Sequence, residues 1–155
     1  MPQLQNPDLD LATLMRFGMP VERATASIVA GGTIHLFRTY VGRVALGLIL
    51  GEVTTIIQTQ ACTAKLTATP DVGTAVDLCA TSDITGKEVG SLFTISGLAA
   101  TALVMALAGG VGGQPNPVIL RPGYLDLILG ATNTGSVKWQ VRYLPIDVGA
   151  YIAAV

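Results

Sequence analysis

The sequence predicts an all-β chain, a jelly-roll-like or β-sandwich domain with an extended N-terminal arm. Three observations carry that expectation. From Val21 onward, short runs rich in Thr, Val, Ile and aromatic residues recur at spacings of about 8–12 residues, as in sandwiches and barrels. Glycine and proline break those runs, with 18 Gly and 8 Pro in 155 residues. One segment alternates strictly: Val137, Trp139, Val141 and Tyr143 share one face, and Lys138, Gln140 and Arg142 the other. That pattern is a half-buried antiparallel strand.

The arm covers residues 1–20 and contains Pro2, Pro7 and Pro20. Asn6 can cap a short helix, and Pro7 suits its first position. Asp8 and Asp10 favour the first turn, Arg16 the last, and Gly18 ends it. Leu11, Leu14 and Met15 then share one face. A helix of about nine residues is not stable alone in water. The arm is therefore expected to dock on a partner through those three side chains; the plain alternative is a frayed end.

Residues 21–155 form the β domain, with strands expected near 22–30, 33–40, 43–50, 52–60, 63–69, 75–80, 88–96, 99–107, 117–121, 124–131, 136–145 and 150–154. Gly31-Gly32, Thr85-Gly86 and Asn133-Thr134-Gly135-Ser136 read as hairpin turns, because Gly and Asn tolerate positive φ. The glycine-rich segment 109–115 reads as a loop.

Composition bounds the function. Half the residues are apolar and 12% are charged, against about 25% in ordinary soluble domains. Mean hydropathy is +0.58. A large part of such a surface is expected to be covered by other subunits. Net charge is −1, which leaves no clustered basic excess for nucleic acid. The 32 residues from Val89 to Leu120 carry no charge, yet their most apolar run, Leu98–Ala108, is 11 residues long. A membrane-spanning helix needs about 20, so a membrane partner is not expected. That run reads as a strand or strand pair buried against the core or a neighbouring subunit, with Leu103 and Met105 as candidate contacts. The N-terminus carries neither the basic nor the apolar region of a secretory signal.

Catalytic chemistry is not expected. The single histidine, His35, sits inside a predicted strand without a nucleophile motif. Cys62, Cys79 and His35 are too few and too scattered for zinc. Asp71, Asp77 and Asp83 recur around turns but lack the spacing of a calcium loop. No glycine pattern cradles a phosphate. No cofactor and no metal are expected. The two cysteines read as buried free thiols, with a cross-strand bridge as the alternative. Glu52 stands out inside Leu48-Ile49-Leu50-Gly51-Glu52-Val53-Thr54-Thr55-Ile56-Ile57. A carboxylate in that setting must be paired, hydrogen-bonded or at an edge. Arg38 and Arg43 are its candidate partners across a hairpin. Its two readings are a strand-edge or turn residue, and a subunit contact.

Two groups of short blocks add a resemblance. The first is Gly51-Glu52-Val53-Thr54-Thr55-Ile56-Ile57-Gln58-Thr59-Gln60, with Lys65-Leu66 and Asp77-Leu78-Cys79-Ala80. The second is Asn133-Thr134-Gly135-Ser136-Val137-Lys138-Trp139, with Tyr143-Leu144-Pro145-Ile146-Asp147-Val148-Gly149-Ala150. Across residues 21–155 the chain resembles the small virion structural proteins of tailed phages and prophages. The resemblance implies a capsid decoration (cement) protein, made in the host bacterial cytoplasm and placed on the outer surface of the capsid. Its implied partners are the major capsid protein and further copies of itself, as a homotrimer by analogy. The implied alternative is a tail or head-to-tail connector protein, followed by a glycan-binding β-module on the virion surface.

Overall fold

The computed structural model describes residues 18–27, 31–107 and 109–155. The predicted arm helix, with Leu11, Leu14 and Met15, lies outside them. Thirteen strands are assigned among the described residues. They are β1 (Met19–Glu22), β2 (Ala26–Ser27), β3 (Gly32–Tyr40), β4 (Val44–Thr55), β5 (Thr63–Pro70), β6 (Val76–Asp77) and β7 (Ser82–Asp83). Then come β8 (Leu92–Thr94), β9 (Val104–Ala106), β10 (Val118–Leu120), β11 (Gly123–Leu129), β12 (Ser136–Pro145) and β13 (Tyr151–Ala154).

Two antiparallel sheets stack as a sandwich, as the spacing of the short strands predicts. The first runs β1-β12-β4-β8-β9, with β10 also on β4 and β2 also on β12. The second runs β13-β3-β11-β5-β6, with β7 also on β5. Take β1, β3, β4, β5, β6, β8, β11 and β12 as strands one to eight. The first sheet then reads one-eight-three-six and the second two-seven-four-five, which is jelly-roll wiring.

That wiring corrects the three predicted hairpins. Gly31-Gly32 stands between β2 and β3, Thr85-Gly86 between β7 and β8, and Asn133–Ser136 between β11 and β12; each pair of strands belongs to different sheets. The residues that suit a hairpin suit a corner equally well, because both need positive φ. Gly32, Gly86 and Gly135 have φ of 119°, 67° and 133°.

The predicted strands 43–50 and 52–60 are one strand, β4, ending at Thr55. Gly51 does not break it. Gly51 lies opposite Trp139 of β12, and a Cβ there would meet the indole at 2.8 Å. The glycine makes room for the tryptophan. Trp139 is 2% exposed and packs near Phe93, with ring centroids 6.4 Å apart. Val137, Val141 and Tyr143 are buried beside it, so the predicted faces of β12 hold. Cys62 and Cys79 are free and buried, and burial pushes the Cys79 thiol up.

A bulge in β3 places the polar face. Phe37 pairs with Leu125 and His35 with Asp126, leaving Leu36 as the extra residue. Alternation resets there, so Leu36 and Phe37 are both buried. His35 and Arg38 consequently both reach the outer surface of the sheet.

β1 starts at Met19, whose partner is Tyr143. Tyr143 pairs in turn with Leu46, and Leu46 with Val118. Met19, Tyr143, Leu46 and Val118 thus form one row across the first sheet, close to one end of the sandwich.

Candidate functional site

The end of the sandwich beside that row is the candidate site, and it starts from one strained residue. Val41 joins β3 to β4 with φ of 69°. The Gly42 N–H donates to the Tyr40 carbonyl at 2.8 Å, closing a γ-turn centred on Val41. Positive φ is the rare, strained form of that turn, and a β-branched residue is the worst suited to it. Strain of this kind costs about 1–3 kcal/mol and collects at functional positions. Val41 is nevertheless 71% exposed, so burial does not compensate for it.

The neighbouring β12–β13 turn is clamped onto this one. Asp147 accepts from the Arg43 backbone N–H at 2.7 Å, from Arg43 Nε at 2.9 Å and from an Arg43 terminal nitrogen at 2.7 Å. The Ile146 N–H donates to the Arg43 carbonyl at 2.9 Å. Gly42 permits the approach, since a Cβ there would lie 2.5 Å from the Asp147 Cβ. Val41, Ile146 and Val148, on the two turns that the clamp joins, are all exposed, Val148 fully so.

Asp147 also sets a pH limit. Hydrogen bonds from the Arg43 side chain and backbone lower its pKa to about 2, from an ordinary value near about 3.9. A lowered folded-state pKa stabilises the protein above the unfolded value, and that contribution is lost as pH falls through the folded one. Asp147→Asn is therefore expected to melt below the parent protein at pH 7, with the gap closing between about pH 4 and 2. Thermal melts across that range check it; a gap that stays constant with pH contradicts the clamp.

Beside the tip, a cleft of about 280 Å³ opens between the sheet edges at β10 and at β5–β6. Ala68, Val76, Leu78, Val118, Ile119 and Leu120 supply its aliphatic walls. Val76 and Ile119 stand at 57% and 55% exposure. Val72, 73% exposed, lies in the connection between β5 and β6.

The outer face of the second sheet carries a polar cluster that the sequence does not reveal. Asp126 is 2% exposed and accepts from Thr69 Oγ1 at 2.7 Å. Its other oxygen lies 2.6 Å from His35 Nδ1. A buried carboxylate requires such partners. The carboxylate orients the imidazole, as in the orienting half of a general-base pair. The Thr69 hydroxyl, however, donates to Asp126 and so supplies no nucleophile to the ring. His35 stacks on one side of Tyr124 at 4.1 Å, and the Arg38 guanidinium lies 4.4 Å from the same ring. Arg38 also lies 5.3 Å from Tyr40, which stacks on Tyr151 at 4.9 Å. The row runs Tyr151, Tyr40, Arg38, Tyr124, His35. Tyr40 and Tyr124 thus each carry an aromatic neighbour and the Arg38 guanidinium within 5.3 Å of the ring centroid.

The sequence-derived candidates fall in different places. Glu52 is exposed on β4 opposite Lys138, not at a turn. Its expected partners are engaged elsewhere: Arg43 with Asp147, and Arg38 with Asp71 at 3.0 Å. Lys138 bonds Glu22 at 3.3 Å. Leu103 is 3% exposed inside the subunit core, so it offers no contact surface. Met105 is half-buried on β9 and packs against the core. The expected strand at 99–107 shrinks to β9, and the large exposed apolar residues on either side of it are Leu98 and Leu107. Asp71, Asp77 and Asp83 sit in separate ion pairs and turns: Asp77 holds Lys65 and Thr67, and Asp83 caps the Thr85 N–H. Among the described residues no three His, Cys, Asp or Glu converge as metal ligands. No described helix is long and apolar enough to cross a membrane.

Comparison of the chain with protein-family models, curated proteins and solved structures finds no match.

Proposed function

We propose that this chain is a virion structural protein of tailed phages, a decoration protein that bridges major capsid protein subunits on the outer surface of the head. The observation that carries the reading is the apolar end of the sandwich. Val41, Val72, Val76, Ile119, Ile146 and Val148 are all large, apolar and exposed there, around a strained turn held by an ion pair. Grouped apolar exposure of this kind marks protein–protein contact. The jelly roll and the short blocks shared in style with phage virion proteins support the same reading.

The action is mechanical. A protein that binds the assembled shell and not its free subunits stabilises the shell by mass action. Such a protein also assembles with itself, and a homotrimer is the form proposed. With a net charge of −1, its binding depends on apolar contact more than on long-range attraction. Heads lacking the chain are expected to assemble with normal geometry but to burst at lower temperature. Adding back purified protein restores them, at physiological and at high salt alike. Stable DNA-filled heads with defective tails would overturn this and favour the connector reading.

A further inference from the structure

We infer that copies of this chain join through two different surfaces, with Ile146 and Val148 of one copy seated in the cleft between β10 and β5–β6 of the next, and that three such contacts close the homotrimer. The inference rests on the self-assembly part of the proposed function and names the surfaces that carry it. It divides the apolar end. Ile146 and Val148 meet Val76 and Ile119 of a neighbouring copy, and Val41 and Val72 are left for the shell.

The first argument is symmetry. A three-fold ring is built from contacts between two different patches on each subunit, whereas a two-fold axis sets one patch against itself. This chain carries two apolar patches of opposite shape. One is the turn between β12 and β13, where Val148 is fully exposed and Ile146 is 46% exposed. The other is the cleft of about 280 Å³, with aliphatic walls and with Val76 and Ile119 more than half exposed. Both lie at the same end of the sandwich. Ile119 pairs with Ala45, and Ala45 with Leu144, two residues before Ile146. Neighbouring strands lie about 4.8 Å apart, so roughly 10 Å separates Ile119 from the end of β12. Two complementary patches this close place the three-fold axis beside them, and the three apolar ends then cover one another.

The second argument is charge. Arg121 is exposed and lines the cleft, and among the described residues it enters no ion pair. The turn between β12 and β13 offers the matching group, Asp147, between its two aliphatic side chains. Asp147 accepts three hydrogen bonds from Arg43, and a carboxylate offers about four acceptor positions. One position remains, and 37% of the Asp147 side chain is exposed. The run Ile146-Asp147-Val148 therefore suits a cleft of aliphatic walls with an arginine in its lining. At about 280 Å³ the cleft also falls just under the roughly 300–1,000 Å³ usual for small-molecule sites, which favours a few side chains over a free ligand.

The test is a disulfide trap in the full chain. Val148→Cys combined with Val76→Cys is oxidised mildly and mapped by peptide mass. Val148 leads into β13 and Val76 is in β6, the two outer strands of the order β13-β3-β11-β5-β6. Those four strand steps, about 19 Å, exceed the roughly 4.4–6.8 Å between the Cα atoms of a disulfide, so a link forms only between chains. Cys62 and Cys79 are buried at 2% and 0% exposure and do not compete. Val89→Cys replaces Val76→Cys in the control. Val89 is 63% exposed, and the next residue, Gly90, bonds Val53 towards the far end of β4. The expected result is a link between positions 148 and 76 that is absent from the control, builds covalent dimers and stops at trimers. Three results overturn the inference and leave self-assembly standing: a chain that sediments as a trimer without the link, equal linking in the control, or linking that runs on past three. A chain that sediments as a monomer at every concentration overturns the self-assembly reading and the inference with it. Arg121→Glu sets a like charge against Asp147 and is expected to raise the concentration at which trimers dissociate about tenfold; an unchanged value also overturns the inference.

Discussion

Trp139→Ala yields an insoluble or unfolded protein, whereas Lys138→Ala, one residue away, melts close to the parent. The two side chains leave opposite faces of β12. Trp139 is 2% exposed, between Gly51 and Phe93, and Lys138 faces outward with 42% of its side chain exposed. Truncating a buried Trp costs about 3–5 kcal/mol, a large share of a typical stability of roughly 5–15 kcal/mol. Removing an exposed lysine and its surface ion pair costs about 0–1 kcal/mol. Gly51→Val is expected to act like the tryptophan change, because its side chain would enter the space the indole fills; overpacking of that kind costs about 1–3 kcal/mol. Thermal or urea unfolding of the three variants checks the set. Equal midpoints for Trp139→Ala and Lys138→Ala would mean that the faces of β12 are reversed.

The second large effect is on assembly. Ile146→Asp with Val148→Asp is expected to abolish self-association and shell binding while the fold survives. Both side chains are at the surface, Val148 fully so and Ile146 at 46% exposure. Exposed substitutions usually shift stability by less than about 0.5 kcal/mol. An apolar anchor at the centre of an interface is worth about 2 kcal/mol or more, and each 1.4 kcal/mol is a factor of about ten. Two anchors lost to charges therefore weaken binding by at least about 100-fold. Val41→Gly separates strain from contact. Relieving about 1–3 kcal/mol of positive-φ strain outweighs the roughly 0.4–1 kcal/mol of added unfolded-state entropy. That variant should melt higher and bind more weakly. Titration of each variant onto empty shells, beside its melting curve, checks both halves. A double aspartate variant that binds like the parent would remove the tip from the interface.

Strand type and facing were legible where one face is buried and the other wet. The alternation from Val137 to Tyr143 is a direct record of that asymmetry. Gly51 misled, because a glycine within a strand reads as a break when its actual role is to admit a residue 88 positions away, as its pairing with Trp139 shows. The corners misled for a related reason. Positive φ selects Gly and Asn whether the chain folds back in one sheet or crosses to the other. The candidate site was mostly invisible. Val41 carries no mark of its φ, and Arg43 meets Asp147 across 104 residues. The His35–Asp126 contact spans 91 residues and depends on the bulge at Leu36. Leu103 and Met105 lie in an apolar run whose pattern fits a core strand and a subunit contact equally well, and burial assigns Leu103 to the core.

Copy number in the purified virion tests the functional claim most directly. A decoration protein follows the shell lattice, so quantitative mass spectrometry or an electron-microscopy map of the particle is expected to show hundreds of copies on the outside of the head, grouped as trimers at the seams between capsomers. About six or twelve copies, the count of a closed ring at the portal or tail, would contradict the claim, as would a particle without the chain.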